Sequence, residues 1–341
     1  MTGRNVAVVI LNWKGWEDTI ACIESMLRTQ YEALSLFVCD NASPNDSVAR
    51  LRGWVSEKLP GLNAERVAAG KVAMTVRDLA DTPSLGPDGA VSGGGTGVIT
   101  LIQTGANLGY AGGNNVGMRY ALAEAFDYFW VINNDTEVEP DAIGAIVDRM
   151  EKDPSIGLCG STLIYSGQRD LVQNLGGGGF SRFKGRGLPL GFQQAVTKPV
   201  DQDSVEAQLE YISGAAAMAS RPFLEQVGLM QDDYFLYWEE LDWSMRAAGR
   251  FKLGYAAESV VYHKVGASIG TSDFGDSTAF SDYYMVRNRV RVCWRFSKVS
   301  LPFIYGDTAR DVLRWCRRGN WSRAWLIMRA ALGMSYVSAA R

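Results

Sequence analysis

The sequence predicts an α/β fold: a mostly parallel sheet flanked by helices, with a C-terminal extension that is helical, basic and aromatic. Three observations lead there. Apolar strand-like runs alternate with helix-compatible segments over residues 1–150, polar residues close those runs, and the composition changes near Asp282.

Val6 to Leu11 is an uninterrupted apolar run that ends in a polar turn, as a buried strand does. Trp16 to Arg28 sets Ile20, Ile23 and Leu27 on one face and predicts a helix. Leu36 to Cys39 is the next strand, ending at Asp40-Asn41-Ala42-Ser43-Pro44, and Asp46 to Trp54 the next helix. After a break, Val98 to Ile102 reads as a strand, Asn114 to Ala125 as a helix and Tyr128 to Ile132 as a strand. Pro140 to Met150 follows as a helix with proline near its start. Such a β-α repeat places helices on both faces of the sheet. Two segments interrupt it. Asp78 to Gly97, rich in Gly, Pro, Asp, Ser and Thr, reads as a flexible surface insertion, and Gly176 to Val205 as an irregular lid, acceptor-binding segment or disordered stretch.

At 341 residues with 47% hydrophobic content, the chain is long enough to bury a substantial core. Five scattered cysteines without a C-x-x-C pair point to a reducing compartment. No signal-peptide pattern precedes Val6 and no stretch has the apolar length of a membrane span, so a cytoplasmic location is expected. The net charge of -3 conceals an asymmetry. Residues 282–341 hold twelve Lys/Arg against three acidic residues, which makes this tail +9 and the remainder -12. Trp294, Trp315, Trp321 and Trp325 lie in it among Arg287, Arg289, Arg291, Arg295, Arg314, Arg317, Arg318 and Arg323. Basic residues with interfacial aromatics fit an anionic membrane surface, here the inner face of the cytoplasmic membrane. The alternative is a solvated helical face packed on the main domain. No nucleic-acid motif accompanies the charge, so no nucleic-acid partner is expected.

Ligands of open α/β sheets collect at the carboxyl ends of strands, where Asn12, Asp40, Asn107 and Asp135 close or follow apolar runs. Asp40 suits a nucleobase or ribose; the same residue with Asn41 also suits a simple turn. Asn107 to Asn115 is glycine-rich but is not G-x-G-x-x-G and does not follow the first strand, which weakens a dinucleotide-dehydrogenase reading. Asn133-Asn134-Asp135-Thr136-Glu137 follows the apolar Phe129-Trp130-Val131-Ile132, and carboxylates at such a position hold a hard cation. Asp135 and Glu137 would share a side if the segment were extended. The single histidine, His263, ends a second strand-like run, Ser259 to Tyr262. Glu239, Glu240 and Asp242 crowd the start of a helix running to Ala248, where mutual repulsion raises carboxyl pKa values; acidic residues there also simply suit the helix dipole.

Val8-Val9-Ile10-Leu11-Asn12-Trp13, Asp40-Asn41-Ala42-Ser43, Asn107 to Asn115, Asn133-Asn134-Asp135 and Trp238-Glu239-Glu240-Leu241-Asp242-Trp243 occur in the order seen in family 2 glycosyltransferases. Over residues 5–295 the chain resembles that family, most closely its rhamnosyltransferase-type branch. The resemblance implies a GT-A fold, an inverting reaction and a dTDP- or UDP-sugar donor, plausibly dTDP-rhamnose. It implies a saccharide or lipid-linked saccharide acceptor and a role in envelope polysaccharide synthesis. Its domains would be residues 1–281, divided into a donor half 1–150 and an acceptor half 151–281, and then the tail 282–341. Asp40 would contact the base, and Asn107, Gly109, Gly113 and Asn114 would line the donor site with Asn12, Asn41 and Asn134. Asp135 would hold Mg2+ or Mn2+, with His263 of His263-Lys264-Val265-Gly266 and Glu137 as further ligands. Asn133 stands where the family's D-x-D signature has its first aspartate. Glu240 would be the catalytic base and Glu239 its alternate, while Gly214 would leave room for the transferred sugar. Trp238 suits either stacking on an acceptor ring or burial in the core, and Asp242 would orient or cap the helix or bind acceptor hydroxyls. Two other classes share features with this reading. A nucleotidyltransferase should show an early glycine-rich basic loop, which Asn12-Trp13-Lys14-Gly15-Trp16 is not, and the asparagine at position 133 leaves room for a non-catalytic carbohydrate-binding or scaffold protein.

Overall fold

A computed structural model describes residues 3–79, 95–264 and 278–336. Most of the insertion expected between Asp78 and Gly97, and the second half of the His263 to Gly266 motif, lie outside the described residues.

The chain runs β1 (Val6–Asn12), α1 (Trp16–Arg28), β2 (Leu34–Asp40), α2 (Ser47–Glu57), α3 (Leu59–Ala68), β3 (Thr75–Leu79) and β4 (Val98–Gln103). It continues with α4 (Gly109–Leu122), β5 (Tyr128–Asn133), β6 (Thr136–Val138), α5 (Ala142–Lys152), β7 (Ile156–Tyr165), β8 (Gln168–Leu175), β9 (Gly177–Ser181) and β10 (Arg186–Pro189). Then come α6 (Gln202–Glu206), β11 (Tyr211–Ile212), β12 (Ala216–Ser220), α7 (Arg221–Val227), α8 (Glu239–Arg246) and β13 (Lys252–His263). Helices α9 (Ala279–Phe296), α10 (Leu301–Arg317) and α11 (Trp321–Ala331) complete it.

The large sheet has the order β3-β4-β2-β1-β5-β12-β7-β13-β6, with β8 paired to β7. Strands β3, β4, β2, β1 and β5 are mutually parallel, whereas β12 runs antiparallel between β5 and β7. The alternation of side chains along β1 divides the core: Val6, Val8 and Ile10 pack with Ile23 and Met26 of α1, while Ala7 and Val9 pack with Met118 and Tyr120 of α4. Burial on both faces explains why β1 reads as a continuous apolar run. Each such aliphatic side chain contributes about 1.5–3 kcal/mol when fully buried.

Two expectations change. Helix α4 begins at Gly109, not Asn114, so the glycine-rich stretch is the first turns of the helix. The residues 176–205 are ordered: β9 pairs with β10 and β11 in a small antiparallel sheet, and α6 follows. Here glycine serves strand packing, since a Cβ on Gly177 would lie 2.0 Å from the Tyr211 carbonyl oxygen.

Helix α9 crosses the division expected at residue 282 and packs on the main body through Val292 and Cys293, with Tyr234, Leu241 and Ile304. Many of the tail's cations point inward or pair with one another's neighbours. Arg289 bonds the Gly185 carbonyl and Asp307, Arg291 pairs with Asp233, Arg295 with Asp242, and Arg323 with Asp282. The solvated-face reading thus describes much of α9.

Candidate active site

The carboxyl ends of β1, β2 and β5 lie side by side, with Asn12 in register with Asp40 and Leu11 with Asn133. Asn12 is fully buried. Its amide donates to Asp40 Oδ1 at 2.7 Å, and its own oxygen accepts from the Thr19 hydroxyl at 2.9 Å. The Ser43 backbone N–H donates to Asp40 Oδ2 at 3.0 Å, so both carboxylate oxygens are held in place. Asn41 donates to Asn107 Oδ1 at 3.0 Å and to the Gly109 carbonyl at 3.1 Å, and accepts from the Leu108 N–H. It ties β2 to the start of α4. Asn134 donates to the Gly15 carbonyl and to Thr19 Oγ1. Asn12, Asn41 and Asn134, expected to touch a donor, are therefore engaged in fixing the loops around Asp40; Asn107 is exposed at their edge.

Gly109 has φ +71°, and a Cβ there would meet the Phe235 carbonyl oxygen at 2.1 Å. This close approach lets the Tyr110 N–H donate to the same oxygen at 2.6 Å, which joins α4 to the loop before α8. Gly113 sits inside α4 against Leu11, where a Cβ would be 2.4 Å from Cδ1. Asn114 is fully buried; it donates to the Tyr110 carbonyl, and its Oδ1 has no hydrogen-bond partner among the described residues. Packing, not exposed N–H groups, accounts for Gly113.

Asp135 and His263 meet, although 128 positions separate them in sequence. Antiparallel pairing of β6 with β13 sets Thr136 opposite His263, and this brings Asp135 Oδ1 to 3.2 Å from His263 Nε2. Nδ1 of the ring lies 2.8 Å from Gln173 Oε1, and a proton on Nδ1 donated to that oxygen leaves the ring's lone pair on Nε2. Asn133 Nδ2 is 3.2 Å from the same Nε2, and Asn133 Oδ1 is buried without a partner among the described residues. A carboxylate oxygen and an imidazole lone pair at that separation match adjacent donors of an octahedral cation, which lie about 3.0 Å apart for bonds of about 2.1 Å. Two donors so placed fit a divalent cation. Glu137 does not join them. Asn134 and Asp135 form a turn, so the alternation of an extended segment is lost, and Glu137 pairs instead with Arg169 at 2.9 Å. Among the described residues no three His, Cys, Asp or Glu side chains gather as a metal cluster.

The second acidic group opens α8. Glu239 is 3% exposed, and its Oε2 has no hydrogen-bond partner among the described residues. Burial, reinforced by the charge of Glu240, pushes its carboxyl well above the ordinary 4.5. Glu240 is half-buried and also raised, chiefly by desolvation; backbone N–H groups oppose the shift. It lines a small cavity with Tyr110, Gly214 and Ser244. The Tyr110 hydroxyl donates to the Gly214 carbonyl at 2.5 Å. Burial raises that hydroxyl's pKa, and the charges of Glu239, Glu240 and Asp135 add to the effect.

A Cβ on Gly214 would lie 3.5 Å from Tyr110 Oη and 3.7 Å from Glu240 Cβ. Asp242 does not face this space. It is fully buried, bonded to Arg246 and Arg295 at 2.7 Å each and to the Tyr234 hydroxyl at 3.1 Å. Its position on the inner face of α8, one turn from the acidic pair, leaves it no surface for an acceptor. Trp238 packs with Tyr234 and Leu241 and donates its indole N–H to the Met285 carbonyl at 3.2 Å, so part of its ring belongs to the α9 interface. Sequence reasoning missed Tyr110 and Gln173. Tyr110 stood out only as an aromatic among glycines, and nothing local marked Gln173.

A parallel-edged sheet with an antiparallel insertion and an acidic strand end is the GT-A fold. It is shared with the Pyrobaculum calidifontis mannosyltransferase PcManGT in complex with GDP-Man and Mn2+, at TM-score 0.53 and 13% identity, covering 98% of this chain and 77% of that one. GalNAc-T7 with UDP, GalNAc and Mn2+ is similar at TM-score 0.55 and 14% identity, covering 87% and 49%. Residues 92–228 match the family model described as Glycosyl transferase family 2. Those residues thus carry a family 2 glycosyltransferase domain match, and the chain is similar in sequence to a rhamnosyltransferase. That relative is the N-acetylglucosaminyl-diphospho-decaprenol L-rhamnosyltransferase of Mycobacterium tuberculosis, 27% identical over 256 residues, 70% of this chain and 78% of that protein. The low-salt glycan biosynthesis hexosyltransferase Agl10 of Haloferax volcanii is 27% identical over 152 residues, a match spanning 44% of this chain and 46% of Agl10.

Proposed function

We propose that the chain is an inverting hexosyltransferase that moves L-rhamnose from dTDP-rhamnose to a lipid-linked saccharide in envelope polysaccharide synthesis. The observation that carries this reading is the carboxylate–imidazole pair of Asp135 and His263 in the turn after β5, together with Glu240 beside Tyr110 and Gly214 at the start of α8. The rhamnosyltransferase relative supports the sugar and the lipid-linked acceptor.

Asp135 and His263 would hold Mg2+ or Mn2+, which when bound neutralises the charge that develops on a departing diphosphate. Gln173 fixes the His263 tautomer that offers Nε2. Asp40, held by Asn12 and Ser43, is presented to the nucleoside. The acceptor oxygen attacks the anomeric carbon as the bond from that carbon to the phosphate oxygen breaks, and the nucleoside diphosphate leaves with the electron pair. Glu240, partly exposed and raised in pKa, takes the proton from the acceptor hydroxyl. A single displacement of this kind inverts the anomeric centre. Glu239, more deeply buried, stays protonated to higher pH and supplies no base.

The chain also meets an anionic membrane surface in this reading. No helix among the described residues is long and apolar enough to cross a membrane. Yet Trp321, Trp325 and Met328 on α11 and Leu332 just after it recur at helical spacing and are all exposed, with Arg329 near the Trp325 ring. The test of the whole reading is nucleotide release from a panel of dTDP-, UDP- and GDP-sugars with Mg2+, Mn2+ or EDTA. Failure of every donor to bind or turn over with either metal would sink it.

A further inference from the structure

The loop that presents Glu239 and Glu240 is held in an unfavourable backbone. Phe235, Tyr237 and Trp238 have φ of +66°, +67° and +76°, and none is glycine. For bulky residues such conformations are strained and persist only where the surroundings enforce them. The surroundings here are two helices. From α4, the Tyr110 N–H donates to the Phe235 carbonyl. From α9, Asn288, fully buried, donates through Nδ2 to the carbonyls of Tyr234 at 2.7 Å, Leu236 at 2.7 Å and Tyr237 at 3.2 Å. Its Oδ1 accepts from Arg287, whose guanidinium also bonds the Asp233 carbonyl. Tyr237 Oη and Ser281 Oγ are 2.7 Å apart, and Trp238 Nε1 donates to the Met285 carbonyl.

We infer that Asn288 is a positioning residue for glycosyl transfer: one amide on the C-terminal helix α9 gathers three carbonyls of the 234–237 segment, holds its left-handed residues, and so aims Glu240 at the space beside Tyr110 and Gly214. No other side chain bonds three carbonyls of this segment among the described hydrogen bonds. Buried carbonyls stripped of their donor seek water, and a loop with three left-handed residues relaxes when released. The tail is thereby part of the catalytic apparatus as well as a surface. This inference rests on the proposed role of Glu240.

The experiment compares the full chain with Asn288→Ala, Asn288→Asp and Val292→Ala. Val292 is buried one turn along the same helix and serves as the packing control. The expected result for both Asn288 variants is a fall in kcat of about 100-fold, the scale of an ångström-sized misplacement. Nucleotide Kd should stay within about two-fold, since Asp40 and Asp135 are held by other contacts. Amide exchange over residues 234–240 should rise about tenfold in these variants and by much less in Val292→Ala, which loosens packing on Tyr234 and Leu241 but leaves the three carbonyls bonded. Val292→Ala should lose stability with kcat retained. Unchanged exchange in the Asn288 variants, or faster exchange with kcat retained, overturns the inference, as does an equal loss of kcat in Val292→Ala. If the wild-type chain turns over no donor, the proposed function fails first; the exchange comparison still decides whether the amide holds the loop.

Discussion

Replacing Asp242 by Asn separates two roles for this carboxylate, acceptor binding and internal support. Asn keeps the shape and removes the charge, so no cavity complicates the result. Asp242 is fully buried between Arg246, whose side chain is 11% exposed, and Arg295, at 44%. Removing one partner of a buried ion pair costs about 3–5 kcal/mol, because the other charge stays behind uncompensated. The half-exposed Arg295 can turn to water, and its share is about 0–1 kcal/mol. The sum expected is about 3–6 kcal/mol, mostly from Arg246. For a domain of this size each kcal/mol moves Tm by about 2–4 °C, so Tm should fall by about 6–24 °C. Urea unfolding should show the midpoint lowered with little change of slope. The apparent acceptor KM should change by no more than about two-fold at temperatures where the variant is folded. A stability loss below about 1 kcal/mol together with a raised acceptor KM would refute the reasoning and return Asp242 to the acceptor site.

Other consequences are as direct. Glu240→Gln should lower kcat by about 10²–10⁴-fold with nucleotide affinity preserved. In the wild type the acid limb of kcat/KM should lie above the ordinary carboxyl value of 4.5, because desolvation raises Glu240; a limb at or below 4.5 speaks against it as base. Glu239 has its folded pKa raised, so the folded state binds the extra proton and stability falls as pH rises from the unfolded value through the folded one. Glu239→Gln should flatten that dependence in urea titrations across pH 4–8, while an unchanged slope would place the titrating group elsewhere. Trp321→Glu combined with Trp325→Glu should weaken co-sedimentation with phosphatidylglycerol vesicles by about tenfold or more. Retained sedimentation would move the contact off α11.

Much of the sheet could be read from the sequence because β1, β2 and β5 are buried on both faces and α1 carries one clean apolar stripe. Its helix limits, Trp16 and Arg28, agree with the spacing of Ile20, Ile23 and Leu27. The start of α4 was misread because glycine at Gly109, Gly112 and Gly113 signals a loop by propensity, whereas here it permits packing on Phe235, Leu108 and Leu11. The strands of residues 176–189 were hidden for the same reason. At the site, Asp135 and His263 were visible as strand ends, and their meeting depends on the β6–β13 register, which no local pattern reports. Glu137 was misplaced because the turn at Asn134-Asp135 breaks the two-residue period. Asp242 and Asn288 owe their roles to partners 53 and about as many residues away, through contacts between α8, its preceding loop and α9.

The central claim is a single displacement carried out between the Asp135–His263 pair and Glu240. The anomeric configuration of the transferred sugar, read by NMR from product made with dTDP-rhamnose and a lipid-linked saccharide in the presence of Mn2+ or EDTA, tests it most directly. The account predicts a product of configuration opposite to the donor, formed with Mn2+ and lost with EDTA. A product that keeps the donor configuration, or one formed equally well in EDTA, would contradict it.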